Sequence, residues 1–82
     1  MADLYQRSKL EAWEQHIYDN AVYFTASCFL GRGKRVRKEF ASEMDAVNYA
    51  AARPMVRPWG IYAVDADNHD TVCGLVRNAK YV

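Results

Sequence analysis

The 82-residue sequence holds only two cysteines, two histidines and two prolines, and no long apolar run. Each scarcity excludes something. Cys28 and Cys73 are isolated, with no CxxC and no framework spacing, so reduced thiols are expected rather than a disulfide scaffold. No stretch approaches the roughly 20 apolar residues needed to span a bilayer. The first residues lack a basic segment followed by an apolar one, the mark of a signal peptide. A soluble, cytoplasmic chain without a membrane role is the expectation. His16 and His69 have no metal-ligand spacing with each other or with the cysteines. No carboxylate pair is clearly placed for acid–base work. "GRGK", Gly31 to Lys34, lacks the spacer and the hydroxyl residue of a phosphate-binding loop. No metal, cofactor or catalysis is therefore expected.

What remains is a globular composition. Hydrophobic residues make up 51% and charged residues 26%, too apolar for a disordered chain and ordinary for one small domain over residues 1–82. Such a chain buries only about 60–65% of its unfolded surface. Its six tyrosines, three phenylalanines and two tryptophans therefore matter for the core,.

The net charge is +1, but seven of the eleven Lys and Arg residues lie between Arg32 and Arg57. Five of them occupy the seven positions from Arg32 to Lys38. Charge asymmetry of this kind speaks about partners, not about fold.

Residues 3 to 18 read as a helix. Asp3 and Gln6 have capping-box spacing, and Leu10, Trp13 and Ile17 form an apolar stripe. Residues 21 to 30 alternate as a half-buried strand: Val22, Phe24, Ala26, Cys28 and Leu30 face the core, and Tyr23, Thr25, Ser27 and Phe29 face water. "GRGK" is a turn, and Arg35 to Phe40 returns. A three-residue loop, Arg32 to Lys34, would pair Leu30 with Val36 and keep the apolar sets together. An odd loop, or a glycine bulge at the tip, is expected.

Ser42 caps a second helix over residues 42 to 53, with Met44, Val47, Ala50 and Ala51 inward; Pro54 stops it. "RPMVRPWG" connects to two further strands, Gly60 to Ala66 and Thr71 to Val76, with "DADNHD" as the turn. Residues 77 to 82 either extend the last strand or trail off. "DADNHD" begins like a calcium loop, yet Asp70 stands where a glycine is required and Val76 where a glutamate is. A hairpin turn is the better reading.

The fold class is therefore α+β: a four-stranded antiparallel sheet with two helices on one face, in the order αββαββ. Chain direction gives the strand order 2-1-3-4, with the second and fourth strands at the edges. One consequence is functional. The hairpin tip and the "RPMVRPW" loop fall at the same end of the sheet. "DADNHD" and the acidic start of the second helix fall at the other.

A docking surface for an anionic partner then consists of Arg32, Lys34, Arg35, Arg37, Arg53 and Arg57, with Trp59 or Phe29 as apolar anchor. Two plainer readings stand beside it. Edge strands carry Lys and Arg to prevent edge-to-edge aggregation, and the alternation of Arg35, Arg37 and Glu39 suits that role. Trp59 also closes a small core well. Residues 22 to 53, with "RKEF" and "FAS…AVNYA", loosely resemble the DNA-binding arm of tyrosine recombinases. That likeness covers under half of the chain, and the leading helix and second hairpin depart from it, so it assigns no family.

The leading function is a non-catalytic binding module whose partner is nucleic acid or an acidic protein surface. A second is an inhibitor or adaptor of the kind phages carry, anti-CRISPR-like, occluding a protein or nucleoprotein complex. A third is a self-associating protein pairing as a homodimer through Tyr23 and Phe29.

Overall fold

The computed structural model describes residues 5–77. It contains β1 (Tyr5–Arg7), α1 (Ala12–Asp19), β2 (Ala21–Gly31), β3 (Lys34–Phe40), α2 (Glu43–Ala51), β4 (Trp59–Asp65) and β5 (Asp70–Val76). The class is α+β, and every strand pairing is antiparallel. The sheet has five strands, in the order β1-β5-β4-β2-β3, where four were expected. The central run β3-β2-β4-β5 is the order that chain direction dictates. The addition is β1, which pairs Tyr5 with Val76 and Arg7 with Gly74. β5 is therefore not an edge.

The expected helix over residues 3 to 18 is corrected. Residues 5–7 are extended, and the helix occupies only its second half. Asp3 lies outside the described residues, and Gln6 sits in β1 opposite Leu75, so it caps nothing. The operating cap is Glu14, whose carboxylate accepts the Glu11 amide at 3.0 Å, the same spacing logic eight residues later. β1 is held by side chains as well as by its ladder. A Cβ on Gly74 would come within 2.7 Å of the Gln6 carbonyl oxygen and 2.5 Å of the Tyr5 ring, so only glycine admits this approach,.

Both helices cover one face. Phe24, Ala26 and Cys28 of β2, Trp59, Ile61 and Ala63 of β4, and Cys73 and Val76 of β5 meet Ala46, Val47 and Ala50 of α2. Tyr18 of α1 packs edge-on against Phe24. Ser42 caps α2 as expected, its hydroxyl accepting the Asp45 amide at 3.1 Å. Met44, expected inward, is exposed, and Ala46 takes its place.

Two bulges correct the expected inner face of β2. The register shifts once between Ala21 and Tyr23 and again between Phe29 and Gly31. Val22 and Leu30 are the extra residues, and both are turned out to solvent,. The tip itself is a two-residue turn at Arg32-Gly33, closed by Gly31 and Lys34. Both turn residues have positive φ, 54° and 76°, the hand that matches strand twist. Val36 consequently pairs with Cys28, not Leu30. The apolar sets still share a face, because the Leu30 bulge supplies the extra residue that a three-residue loop would have supplied.

Candidate docking pole

β2 runs on to Gly31 beyond the start of β4, since Ser27 pairs with Gly60. That register places the hairpin tip and the loop 53–58 side by side. The Arg57 guanidinium carbon lies 5.0 Å from the centroid of the Phe29 ring, and the Cys28 thiol points at the Arg57 carbonyl, 3.6 Å away. Between the two loops lies a groove of about 340 Å³ lined by Phe29, Leu30, Pro54, Met55, Val56 and Arg57. Its rim carries exposed apolar side chains. Val56 is 76% exposed, and Phe29 and Leu30 are exposed as well,.

The cations around this groove meet no carboxylate of their own chain segments. Neither Asn20 to Lys38 nor Ala46 to Val64 contains a single Asp or Glu. The carboxylates of Asp19, Glu39, Glu43, Asp45, Asp65, Asp67 and Asp70 belong to the opposite ends of the same strands and helices. A net charge near zero thus hides a molecule polarised along its strands.

The expected site residues separate into four groups. Arg32, Lys34, Arg35, Arg57 and Phe29 are exposed at or beside the groove. Arg37 faces the same side of the sheet but is tied to Glu39 at 3.0 Å. Arg53 lies elsewhere: it stacks on the Tyr49 ring at 3.8 Å and donates to the Tyr49 carbonyl. Lys38 approaches the same ring from β3. Trp59 is corrected outright as an anchor. It is 3% exposed, and its indole N–H donates to the Arg53 carbonyl at 2.9 Å. The first residue of a central strand is a core position, and Trp59 fills it. Leu30, Pro54, Met55 and Val56 were not anticipated in the groove. The one available sign was the pairing of Met55 and Val56 in a loop bounded by prolines.

Other polar groups bond to one another within the fold. Tyr18 donates to Glu43 at 2.6 Å, Tyr5 donates to the same carboxylate, and the Arg7 guanidinium lies 3.7 Å away. Burial, followed by the bond to Glu43, raises the Tyr5 hydroxyl pKa. This cluster pins β1, α1 and the start of α2 together. Burial pushes the Cys73 thiol up to about 11, and burial also raises Cys28, so both are protonated and poorly nucleophilic. Asp65, Asp67 and His69 stand close enough to share an ion. Asp65 Oδ1, however, already accepts the Asp67 and His69 amides at 3.0 and 2.9 Å, as a turn-forming aspartate does.

Among the described residues, no helix is long and apolar enough to cross a membrane. No family model matches the chain, and no curated protein or solved structure matches it.

Proposed function

We propose that this protein is a non-catalytic docking module whose basic pole binds an acidic protein surface. One observation carries the reading: a groove between two loops, lined by Arg57 and by exposed Phe29, Leu30 and Val56 beside the hairpin that carries Arg32, Lys34 and Arg35, in chain segments free of carboxylates. Interfaces between proteins concentrate aromatic, methionine and arginine side chains around a desolvated centre. The groove has that composition. A purely phosphate-reading surface would need the cations and not the aliphatic floor.

The partner under this reading inserts an apolar side chain between Leu30 and Val56 and places carboxylates around it. An inhibitor that occludes a larger complex would use the same contact, since occlusion needs only a matched surface. Affinity capture from the native cell tests the reading. Wild type should retain a partner that is lost by Arg32→Glu/Lys34→Glu and, independently, by Val56→Asp. Identical captures with all three would refute the pole as the docking surface.

A further inference from the structure

Among the described residues, the sheet face turned away from the helices has no second layer, yet it is not open. Tyr23, Thr25, Ser27 and Phe29 of β2 share it with Gly60, Tyr62 and Val64 of β4 and with Arg35 and Arg37 of β3, as the cross-strand pairs show. Thr25 and Val64 are only 2% exposed there. Ser27 and Gly60 are buried too. Among the described residues, the larger side chains of the same face supply part of this cover. Gly60 shows how. A Cβ at that position would lie 2.9 Å from Tyr62 Cε1 and 3.6 Å from Cζ and the hydroxyl. The Tyr62 ring therefore reclines along its own strand over Gly60, and Tyr62 remains partly exposed.

Tyr62 pairs with Thr25, and Tyr23 pairs with Val64, so the two tyrosines are diagonal neighbours on the two central strands. On the next strand Glu39, opposite Thr25, stands level with Tyr62, and Arg37 and Arg35 follow toward the hairpin tip, opposite Ser27 and Phe29. The hairpin tip continues the positive charge through Arg32 and Lys34. The carboxylates that share this face are Glu39, tied to Arg37, and Asp70, opposite Val64 at the far end. The face presents Tyr62 and Tyr23 in partial exposure, with half-buried Val72 and Leu75 of β5 on one side and Glu39, Arg37 and Arg35 of β3 on the other.

We propose that this face binds single-stranded nucleic acid, with bases stacked on Tyr62 and Tyr23 and phosphates met by Arg35, Arg37 and the tip cations. Single strands expose the base faces that such a platform needs, whereas duplexes do not. The face shares Arg32, Lys34 and Arg35 with the basic pole, but Tyr62 takes no part in the groove between Leu30 and Val56.

Fluorescence anisotropy with labelled oligothymidylate, oligouridylate and a duplex of equal length tests this. Both single strands should bind in preference to the duplex. Affinity should fall with salt, with a log–log slope of roughly −0.7 for each phosphate contacted. Tyr62→Ala should weaken binding by on the order of tenfold or more, and Tyr62→Phe should retain it. Circular dichroism checks that each variant folds. Should Tyr62→Ala fail to fold, the wild-type ring protons of Tyr23 and Tyr62 must still shift upfield on adding oligonucleotide. The proposal is overturned by the absence of single-strand binding at low salt, by wild-type affinity in a folded Tyr62→Ala, or by unshifted ring protons. A concentration-dependent dimer abolished by Tyr62→Ala would also overturn it and assign the face to a second copy of the chain.

Discussion

Arg57 lies over the ring of Phe29 at 5.0 Å, so a cation from the loop before β4 rests on an aromatic from the end of β2. This contact is what makes two loops one surface. At a solvent-exposed site such a pair contributes about 0.5–1 kcal/mol. Arg57→Ala should therefore barely move global stability while loosening the loop 53–58. Hydrogen exchange measures both: amides of Val56 and Arg57 should exchange faster in the variant, and those of β2 and β4 should not. Equal exchange in the loop would mean that the groove is held by Pro54 and Pro58 alone.

Glu43 gives the clearest stability prediction. Its carboxylate accepts from Tyr5 and Tyr18 and faces Arg7. Removing it leaves two half-buried hydroxyls without their acceptor. Glu43→Ala should lower unfolding stability by about 2–3 kcal/mol, since unsatisfied buried donors are penalised more than paired ones are rewarded. Adding Tyr5→Phe and Tyr18→Phe to that variant should recover part of the loss in urea denaturation. A purely additive result would show that the three groups act independently.

The buried thiol sets an alkaline limit. Cys73 is raised from its ordinary 9 to about 11, chiefly by burial, so folding favours the neutral thiol. That contribution is complete below the unfolded-state value and is lost as pH rises through the folded one. Tyr5, also raised, acts in the same sense at higher pH. Wild type should lose more stability than Cys73→Ala between about pH 9 and pH 11. Urea midpoints across that window decide it, and parallel curves would remove the thiol from the account. At neutral pH neither cysteine should react with a thiol reagent until the protein unfolds.

The strand order was legible because it follows from chain direction: β3 runs down, α2 returns up, and β4 can be antiparallel only beside β2. The shared pole of tip and loop came from the same geometry. β1 was not legible. Three residues carry no periodicity, and Tyr5 to Arg7 become a strand only because β5 offers an edge with Gly74 beneath Tyr5. Trp13 misled for a related reason. A stripe spaced for a long helix was read onto an eight-residue one, which buries Ile17 and leaves Trp13 61% exposed. Val22 and Leu30 fit the alternation perfectly in sequence. A bulge is the device that breaks alternation without changing it, so the groove residue Leu30 was hidden among core residues.

Gly74 tests that account of β1. A methyl group there meets backbone at the Gln6 carbonyl oxygen, which cannot swing aside as a side-chain end can. Gly74→Ala should unseat β1 specifically, exposing amides of Tyr5 to Ser8 to exchange while β2–β4 pairing persists. The Ser8 amide, which donates to the Cys73 carbonyl at 2.9 Å, is the most direct reporter. Protection there in the variant would show that β1 tolerates a shift outward.

The two non-glycine residues with positive φ invite a comparison. Asn68, at 67°, occupies its turn with a residue type suited to that region, whereas Arg32, at 54°, does not,. The turn at Arg32-Gly33 favours Asn-Gly. A cation kept at a position that disfavours it argues that the charge serves something other than folding. Arg32→Asn should raise stability by a few tenths to about 1 kcal/mol by relieving backbone strain. It should also weaken capture of the partner at the basic pole. Thermal unfolding measures the first effect and affinity capture the second. Higher stability with unchanged capture would leave Arg32 as a solubilising charge and shift the docking role onto Lys34, Arg35 and Arg57. Lower stability would mean that the Arg32 side chain itself supports the hairpin.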